Sequence, residues 1–549
     1  MSDLYSKASL VMNPQLVDTG KVYSIKPEDR KGDFTFTRSS AATRVNADGN
    51  IEKETQNLLL QSNSFDTTWG SNGTLTSGQS GYDGTNDAWL FTYTSDPSIA
   101  FISNTNSGVQ TLSLYAKGNV NNGLRMYAFG SSNCQAYFDL NTGSVEITNN
   151  IIDAAIEDKG NGWYRCSMTF NQTNSSINFY LSTNANGNAT SGSIYIQDAQ
   201  LEQGMVARDY IETTTAAVEG GITDNVPRLD YTDSSCPALL LEPQRTNLAA
   251  LSEYFKGWSH KPNTTTTSNY TTSPEGLKNA TRLQFTANGY LYNSNAPAQV
   301  NGAQHTLSCY AKRNDSGTQS FGFFTNGSGS VDSTMSLTSE WQRFTYTYTA
   351  TNASQLGLAG LSGADVSVFG FQVEASASYA TSYIPTYGTS VTRNADYATK
   401  TGVSDLIGQT EGSAYLEIKE FIPQPPGNIG AILSLHGGSS TNRIGIIHLP
   451  NTTEIQVYVI TGGAAQALYN FTPSSGINKI AIGYANNDIA IAVNGAIAYT
   501  DTNATIPATS AIGLNTYGFT NIHANDSIKQ VLLFKERLSN AELATLTTI

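Results

Sequence analysis

Two carboxyl groups placed roughly 5 to 9 Å apart on either side of a bond are the minimum for glycoside hydrolysis. Within one predicted strand, the closest approach to such a pair is Glu417 with Glu420. Residues three apart on a strand point to opposite faces of the sheet. No Glu-x-Asp-x-Glu string occurs elsewhere in the chain. The carboxylates therefore predict no glycosidase site.

The histidines and short motifs also predict no catalytic site. None of the five histidines has the spacing of a Ser/His/Asp triad or of a metal site, and we expect surface or hydrogen-bonding roles for them. No GxSxG, P-loop or dinucleotide fingerprint is present. We predict a protein that is not an enzyme, with no catalytic residue to name. The histidines are His260, His305, His436, His448 and His523.

Four cysteines are spread along the chain as Cys134, Cys166, Cys236 and Cys309, without a CxxC pair. Buried free thiols are one interpretation. A disulfide between Cys134 and Cys166 is the alternative, if their strands are neighbours. The second half of the chain has no equivalent pair of cysteines, so a disulfide does not belong to the repeated pattern described next.

Residues 52–211 and 242–384 are two divergent copies of one unit. The string TLSLYAK (111–117) is answered by TLSCYAK (306–312), and the tryptophans pair as Trp69 with Trp258 and Trp163 with Trp341. A period this long indicates two whole domains rather than a solenoid. We expect the paired tryptophans in the two cores, with sugar stacking as the alternative. The unmatched Trp89 is the better candidate for a role specific to one copy.

Repeated polar residues also need a role. Asn57 and Asn247, with Glu52 and Glu242, stand at the entry to each copy. A side chain that binds local backbone groups there would fix the first strand, so we predict a structural role. Two further pairs, Lys117 with Lys312 and Arg165 with Arg343, are predicted either to form a surface feature or to make salt bridges to Glu202 and Glu374.

Composition excludes several partners. Only 13% of the residues are charged, the net charge is −14, and Lys and Arg form no cluster, so binding to nucleic acid is not expected. No apolar stretch is long enough for a membrane span, and the first residues do not resemble a signal peptide. We expect a protein made in the cytoplasm that binds no membrane.

Strand patterns set the predicted architecture. Short alternating runs are separated by Gly, Asn, Asp and Ser clusters, which favours antiparallel β-sandwiches. We predict an all-β chain with an extended arm (1–50), a jelly roll (51–215), a linker with a second jelly roll (216–398) and a different sandwich (399–549). The two joints share an Asp-Tyr step, Asp230-Tyr231 and Asp396-Tyr397, which predicts a fixed interdomain geometry. In the last sandwich, Asn494-Gly495 predicts a hairpin turn and SNAE (539–542) a helix cap.

The last 140 residues resemble concanavalin A-like (laminin G-like) jelly rolls through KIAIGY (479–484) and VLLFKERLSNAELATL (531–546). Such modules often bind calcium, which makes NND (486–488) a candidate calcium turn, with an ordinary hairpin as the alternative. No other cofactor is expected.

The rest of the chain resembles surface proteins of bacteriophage particles, such as tail fibres, head fibres and decoration proteins, whose jelly rolls are similar to carbohydrate-binding modules. The resemblance rests on FTRSSAATRVNADGNIE (36–52), NLLLQSNSF (57–65), PALLLEPQRTNL (237–248) and SYIPTYGTSVTRNAD (382–396). It implies a virion-surface protein that docks on other virion proteins through its N-terminal arm, assembles as a homo-oligomer, with a trimer favoured, and contributes to host adsorption. A dedicated host-glycan lectin and a polysaccharide depolymerase are the alternatives.

Overall fold

Alternating apolar residues form short antiparallel strands throughout the chain, as the pattern predicts. The computed structural model describes all residues except 1, 94–97, 184–186, 190, 233, 261–262, 294–300, 316–319, 326–330, 352–354, 420–428, 451 and 518–521. Glu420 therefore lies outside the described residues, and the Glu417–Glu420 pair is not assessed. No helix in the described ranges has the length and apolar character needed to cross a membrane.

The strands and helices follow one another in chain order. The N-terminal stretch holds α1 (Ser2–Lys7), β1 (Leu10–Met12), β2 (Val17–Asp18), β3 (Lys21–Val22), β4 (Phe34–Thr37), β5 (Thr43–Val45), β6 (Ile51–Lys53) and β7 (Thr55–Asn57). The first repeat holds β8 (Thr74–Gln79), β9 (Ala88–Tyr93), β10 (Ser98–Ser103), β11 (Val109–Gly118), β12 (Gly123–Gly130), β13 (Cys134–Asp139), β14 (Ser144–Asn149), β15 (Asp153–Gly160), β16 (Trp163–Asn171), β17 (Asn174–Thr183), β18 (Gly187–Asn188) and β19 (Gly192–Gln203). The first joint holds β20 (Val218–Gly220), β21 (Arg228–Asp230) and β22 (Ala238–Leu241).

The second repeat begins with β23 and contains a 3-10 turn at Phe255–Gly257. Its strands are β23 (Arg245–Asn247), β24 (Ser259–His260), β25 (Thr264–Thr271), β26 (Ala280–Phe285), β27 (Gly289–Tyr292), β28 (Gln304–Arg313), β29 (Phe321–Phe324), β30 (Ser333–Thr334), β31 (Gln342–Thr349), β32 (Gly357–Gly360) and β33 (Asp365–Ala375). The remainder holds β34 (Val391–Arg393), β35 (Tyr397–Thr401), β36 (Glu411–Lys419), β37 (Gly430–His436), β38 (Arg443–His448), β39 (Ile455–Thr461), β40 (Ala464–Phe471), β41 (Ile477–Ala485), β42 (Asp488–Val493), β43 (Ala496–Asp501), β44 (Ala511–Leu514), β45 (Asp526–Phe534) and α2 (Asn540–Leu546).

Each repeat is a sandwich of two antiparallel sheets. In the first jelly roll, one sheet has the order β10-β17-β12-β13-β14 and the other β15-β16-β11-β19-β9-β8. In the second, one sheet has the order β24-β27-β32-β29-β30, and β28 lies between β31 and β33 in the facing sheet. The predicted all-β class with two tandem jelly rolls is confirmed.

The third sandwich is built from distant parts of the chain. Its first sheet runs β21-β22-β45-β36-β41-β42-β43, with β1 on β45, and its second runs β2-β3-β4-β35-β44-β37-β38-β39-β40. Its last helix has the predicted capping box at Ser539 and Glu542, and Asn494 and Gly495 form the predicted turn with positive φ at both residues.

The prediction of an extended arm over residues 1–50 is wrong for most of its length. β1 pairs with β45, and β4 pairs with β35. Phe34 and Phe36 are buried in the core of the third sandwich. Burying these apolar side chains favours docking over extension into solvent. Each of β1 to β4 has only two to four residues, and the strands that join them to the sandwich, β45 and β35, lie hundreds of residues away, so no local period predicts them.

Three arginines from three chain stretches meet two carboxylates at the centre of the molecule. Arg38 lies 3.0 Å from Asp396, Arg228 lies 2.6 Å from Glu242 and also contacts Asp396, and Arg393 lies 2.8 Å from Glu242. All five side chains are buried. Burial alone would raise the pKa of Glu242, but Arg393 and Arg228 outweigh it and hold that pKa well below its usual range.

A second buried network joins the two jelly rolls. Lys53 Nζ lies 2.6 Å from Glu253 Oε1 and 2.5 Å from Glu275 Oε1. Arg208 extends the network, at 3.2 Å from Glu202 and 3.4 Å from Glu275. Buried charges that lose a partner are costly, so these contacts favour the arrangement in which the two rolls meet here. The fixed interdomain geometry expected from the repeated joints stays a prediction.

Candidate functional site

Most of the repeated tryptophans belong to the cores. Trp69 and Trp258 are buried, and their indole N–H groups donate to backbone carbonyls of Gln61 and Leu251 at 3.0 and 2.8 Å. Trp163 is also buried, whereas Trp341 is half-buried and donates to Thr272 O at 2.9 Å. The core prediction is confirmed for the three buried members of the pairs.

Trp89 belongs to the core as well. Its side chain is buried among the core residues of the first jelly roll, and its indole N–H donates to Asn63 O at 2.9 Å. Its counterpart Arg282 forms an ion pair with Asp365. The unmatched tryptophan therefore marks no exposed site.

The two entry asparagines, Asn57 and Asn247, make equivalent hydrogen bonds in the two copies. Asn57 Nδ2 donates to Ala199 O and Ile211 O, and its Oδ1 accepts from the backbone N–H groups of Leu59 and Leu201. Asn247 repeats this pattern with Phe371 O, Ile384 O, Ala249 N and Val373 N. The predicted structural role of these residues is confirmed.

The repeated arginines make no salt bridge to Glu202 or Glu374 among the described contacts. Arg343 Nη2 donates to Ser308 Oγ and Thr381 O, at 3.0 and 2.6 Å. Arg165 makes the equivalent contacts with Ser113 Oγ and Arg208 O. Both guanidinium groups lie over a tyrosine ring, at 5.3 and 5.6 Å. The salt-bridge alternative is therefore wrong for this pair.

The histidines and cysteines lie in separate places in the structure. His448 pairs with Asp526 at 2.9 Å in a buried position, while His305, His436 and His523 contact nearby backbone groups. The side chain of His260 lies outside the described residues. All four cysteines are free, and burial raises the pKa of the Cys134 thiol to about 11. Cys134 and Cys166 belong to facing sheets, so the disulfide alternative is not realised.

The NND turn joins β41 to β42. Asp488 pairs with Arg537 at 2.8 Å, and Asn486 Oδ1 accepts from Ile506 N. Within the described ranges, no three His, Cys, Asp or Glu side chains are grouped as metal ligands. Calcium binding at this turn stays a prediction, which a calcium titration followed by thermal melting would test.

A cluster that was not predicted lies on the sheet β10-β17-β12-β13-β14. Leu124, Met126 and Ala128 point into the core of the first jelly roll. Because side chains alternate along a strand, Arg125 and Tyr127 point to the opposite, outward face.

Neighbouring strands add aromatic residues to this outward face. Register places Tyr137 and Tyr180 directly across from Arg125, one on each side. We call Arg125, Tyr127, Phe129, Tyr137 and Tyr180 the aromatic face.

Arg125 holds the aromatic face together. Its guanidinium carbon lies 4.5, 5.0 and 5.4 Å from the ring centres of Tyr127, Tyr180 and Tyr137. Its Nε donates to Gln135 Oε1 at 2.9 Å. Cation–π contacts with three rings fix both the cation and the rings. The rings of Tyr127, Tyr137 and Tyr180 are only 7–9% exposed, so Arg125 and Phe129 are the half-buried members of the cluster that a ligand can reach.

The corresponding sheet of the second jelly roll also carries outward aromatic residues. Tyr290 lies 5.1 Å from Phe324 in an edge-on arrangement and 6.2 Å from Tyr292. Leu291 and Phe323, which alternate with them, point into the core. Phe324 is fully buried, and Tyr290 and Tyr292 are half-buried on this face.

Strand alternation in GLRMYAFG (123–130) could have revealed the aromatic face. Leu124, Met126 and Ala128 form one apolar set, and the residues between them include an arginine and two aromatics. The alternation in residues 123–130 does not stand out when the two copies are compared, because the strongest repeated phrases belong to the other sheet and to the joints.

Comparison with known proteins gives similarity of fold only. No family model matches the chain, and no curated protein matches it. Among solved structures, the CBM40 of the Ruminococcus gnavus IT-sialidase, bound to α2,3-sialyllactose, is 16% identical, with 26% of this chain and 84% of that chain covered and a TM-score of 0.22. Domain 4 of the arabinanase AbnA from Geobacillus stearothermophilus, solved with arabinotriose, is 12% identical, with 28% and 73% covered and a TM-score of 0.23.

A third structure is a whole enzyme. The NanB sialidase from Streptococcus pneumoniae is 18% identical, with 26% of this chain covered and a TM-score of 0.23. This chain spans about a quarter of the length of that enzyme. These likenesses assign no activity to the chain.

Proposed function

We propose that this protein binds glycans, and that the aromatic face of the first jelly roll is its binding surface. The observation that carries the proposal is the half-buried Arg125 on the outward side of a sheet, held by three largely buried tyrosine rings, with the half-buried Phe129 packed on Tyr127. The accessible part of the Phe129 ring packs against the C–H face of a pyranose sugar, and the guanidinium group of Arg125 donates to sugar hydroxyls. A rigid aromatic surface loses little conformational entropy on binding.

A glycan array probed with the full chain tests this proposal. The variants Tyr137→Ala and Tyr127→Ala remove one ring each, and we expect binding to fall about tenfold or more, since one well-packed ring contributes more than about 1.4 kcal/mol. Tyr270→Ala removes an exposed tyrosine on β25 and keeps full binding, and thermal melting of each variant separates lost binding from lost folding, since Tyr127 and Tyr137 are buried. Absence of binding by the unchanged protein, or equal binding by Tyr137→Ala, would reject the proposal.

Binding without cleavage is the form of the function that we favour. The support is the sequence, which contains no Glu-x-Asp-x-Glu string and no histidine with the spacing of a Ser/His/Asp triad. A depolymerase is the competing function. Incubation of the protein with each bound polysaccharide, followed by measurement of new reducing ends, separates the two, because only a depolymerase releases them.

The setting we propose is the surface of a bacteriophage particle, where the protein would assist host adsorption. The support is the resemblance of the phrases at 36–52, 57–65, 237–248 and 382–396 to virion surface proteins. Since residues 10–37 belong to a folded sandwich, contact with other virion proteins would use a folded surface rather than a free arm. Mass spectrometry of purified particles tests the setting, and light scattering of the purified protein tests the proposed trimer.

A further inference from the structure

A cavity of about 480 Å³ lies between the two jelly rolls. At its base the backbones of Gly108 and Gly388 are in contact, with 3.1 Å between a Cβ built on Gly388 and the Gly108 Cα. Val109 N also donates to Tyr387 O at 2.6 Å. Cavities of this size at domain interfaces commonly hold small ligands.

The walls of the cavity are held in place by buried neighbours. Lys53 is fixed by its two ion pairs, and Asn57 by its four hydrogen bonds. Between them in the chain lie Glu54 and Gln56, and both line the cavity. A site on fixed backbone loses little freedom when a ligand binds.

Gln203 also lines the cavity and follows Glu202, which is buried and paired with Arg208. The side chains of Glu54, Gln56 and Gln203 form no hydrogen bond or ion pair within the part of the chain that the structure describes. All three are half-buried. Polar groups that line a concave site without a protein partner can bind a ligand at no cost in internal contacts.

Glu54 is the only charged side chain among the residues that line the cavity. Burial, followed by the nearby acids Glu219 and Asp224, raises its pKa to about 7. Within the described part of the chain, this carboxylate forms no ion pair with a lysine or arginine. A ligand that brings a positive charge would supply the missing counter-ion.

We propose that this cavity binds a small hydroxylated amine, such as an amino sugar with a free amino group. The ammonium group pairs with the Glu54 carboxylate, and the amides of Gln56 and Gln203, which both donate and accept, bind the hydroxyls. Leu251 and Pro385 supply apolar wall for the C–H groups. This site is separate from the aromatic face and does not depend on it.

Isothermal titration of the full chain with glucosamine, N-acetylglucosamine and glucose at neutral pH tests the proposal. We expect glucosamine to bind about tenfold or more tightly than the other two, since a charge-assisted hydrogen bond contributes about 1.5–3 kcal/mol. Acetylation removes the positive charge, so N-acetylglucosamine is the matched probe. Equal binding of the two amino sugars, or no binding of glucosamine, would overturn the proposal.

Variants separate this site from the aromatic face. Glu54→Gln keeps the shape and removes the charge, and should lose glucosamine binding about tenfold or more. Glu411→Gln, at an exposed glutamate of the third sandwich, and Tyr137→Ala on the aromatic face should bind glucosamine like the unchanged protein. Gln203→Ala is a second test within the cavity and should also weaken binding. Glucosamine binding that survives in both cavity variants would refute the site, whatever the glycan array shows.

Discussion

Lys53 of the segment that enters the first jelly roll donates to Glu253 of the second jelly roll across 2.6 Å, and both side chains are almost fully buried. A second carboxylate, Glu275, lies equally close to the same ammonium group. The junction between the rolls thus contains a charged centre from which water is excluded. Each buried charge there is stabilised by the opposite charges around it, so removing one residue leaves the others uncompensated.

Removing the lysine should therefore destabilise the protein strongly. Lys53→Met leaves two buried carboxylates with only Arg208 beside them, and we expect a loss of about 3–5 kcal/mol in the free energy of unfolding. Urea denaturation followed by tryptophan fluorescence measures it. Lys159→Met removes the ion pair of Lys159 with the exposed Glu157 and should change stability by less than about 1 kcal/mol. Equal effects of the two substitutions would contradict this view of the junction.

The contact between Gly108 and the Tyr387 carbonyl should tolerate no side chain. A Cβ on Gly108 would lie 2.0 Å from Tyr387 O, and Gly108 has φ +98°. Gly49 also has positive φ but has open space around it, so Gly49→Ala measures the conformational strain alone, about 1 kcal/mol.

Gly108→Ala should cost clearly more than Gly49→Ala and should separate the rolls, which limited proteolysis of the joint at residues 385–390 would detect. If both alanine variants resist protease equally, the backbone contact does not hold the rolls together.

The entry asparagines should be equivalent in energy as well as in geometry. Asn57→Ala and Asn247→Ala each remove four hydrogen bonds to buried backbone groups, and each should cost at least about 2 kcal/mol. Asn503→Ala at an exposed turn is the control and should stay within about 0.5 kcal/mol. Thermal melting compares the three. A large effect in one copy only would show that the repeat has diverged in function at this position.

The N-terminal strands should be required for the third sandwich. Phe36 is buried in its core, so Phe36→Ala should lower stability by about 3–5 kcal/mol. Leu16→Ala changes a residue of the same stretch that is 53% exposed and should change stability by less than about 0.5 kcal/mol. Denaturation of both variants distinguishes a built-in strand from a free arm, for which neither substitution would matter.

Glu54 should make stability depend on pH in a defined window. Its pKa rises from 4.5 to about 7 on folding, so between these values the folded state holds a proton that the unfolded state has lost. The contribution of the protonated Glu54 to the free energy of unfolding is fully present below pH 4.5 and is lost as the pH rises to about 7. Urea denaturation at several pH values should show the unchanged protein losing stability relative to Glu54→Gln across that window. A difference that is constant, or that grows with pH, would contradict the assignment.

The repeat made much of the fold predictable. Trp69 with Trp258 and Asn57 with Asn247 occur at matching places in both copies, and residues that recur in this way mark the core and the entry of each domain. Trp341 departs from the pattern because it lies at the edge of its sheet, where it is only half-buried.

The aromatic face and the N-terminal strands could not be predicted in the same way. Arg125 and Tyr127 become a surface only when Tyr180 and Tyr137 arrive beside them from other strands. β1 and β4 are too short to show a period, and their partners are β45 and β35. In both cases the deciding contacts are distant in sequence: alternation within residues 123–130 marks the outward side chains but does not identify the strands that pair beside them.

The pairing of β1 with β45 and of β4 with β35 has a consequence for synthesis. The strands of residues 10–37 leave the ribosome long before their partners do, and both jelly rolls are made in between. β1 and β4 lack these partners while the rolls fold, and the third sandwich closes only when residue 534 has emerged. Closure of that sandwich is therefore the last step of folding, in which the first strands pair with the last ones. A truncated chain would leave apolar strand edges exposed to other molecules.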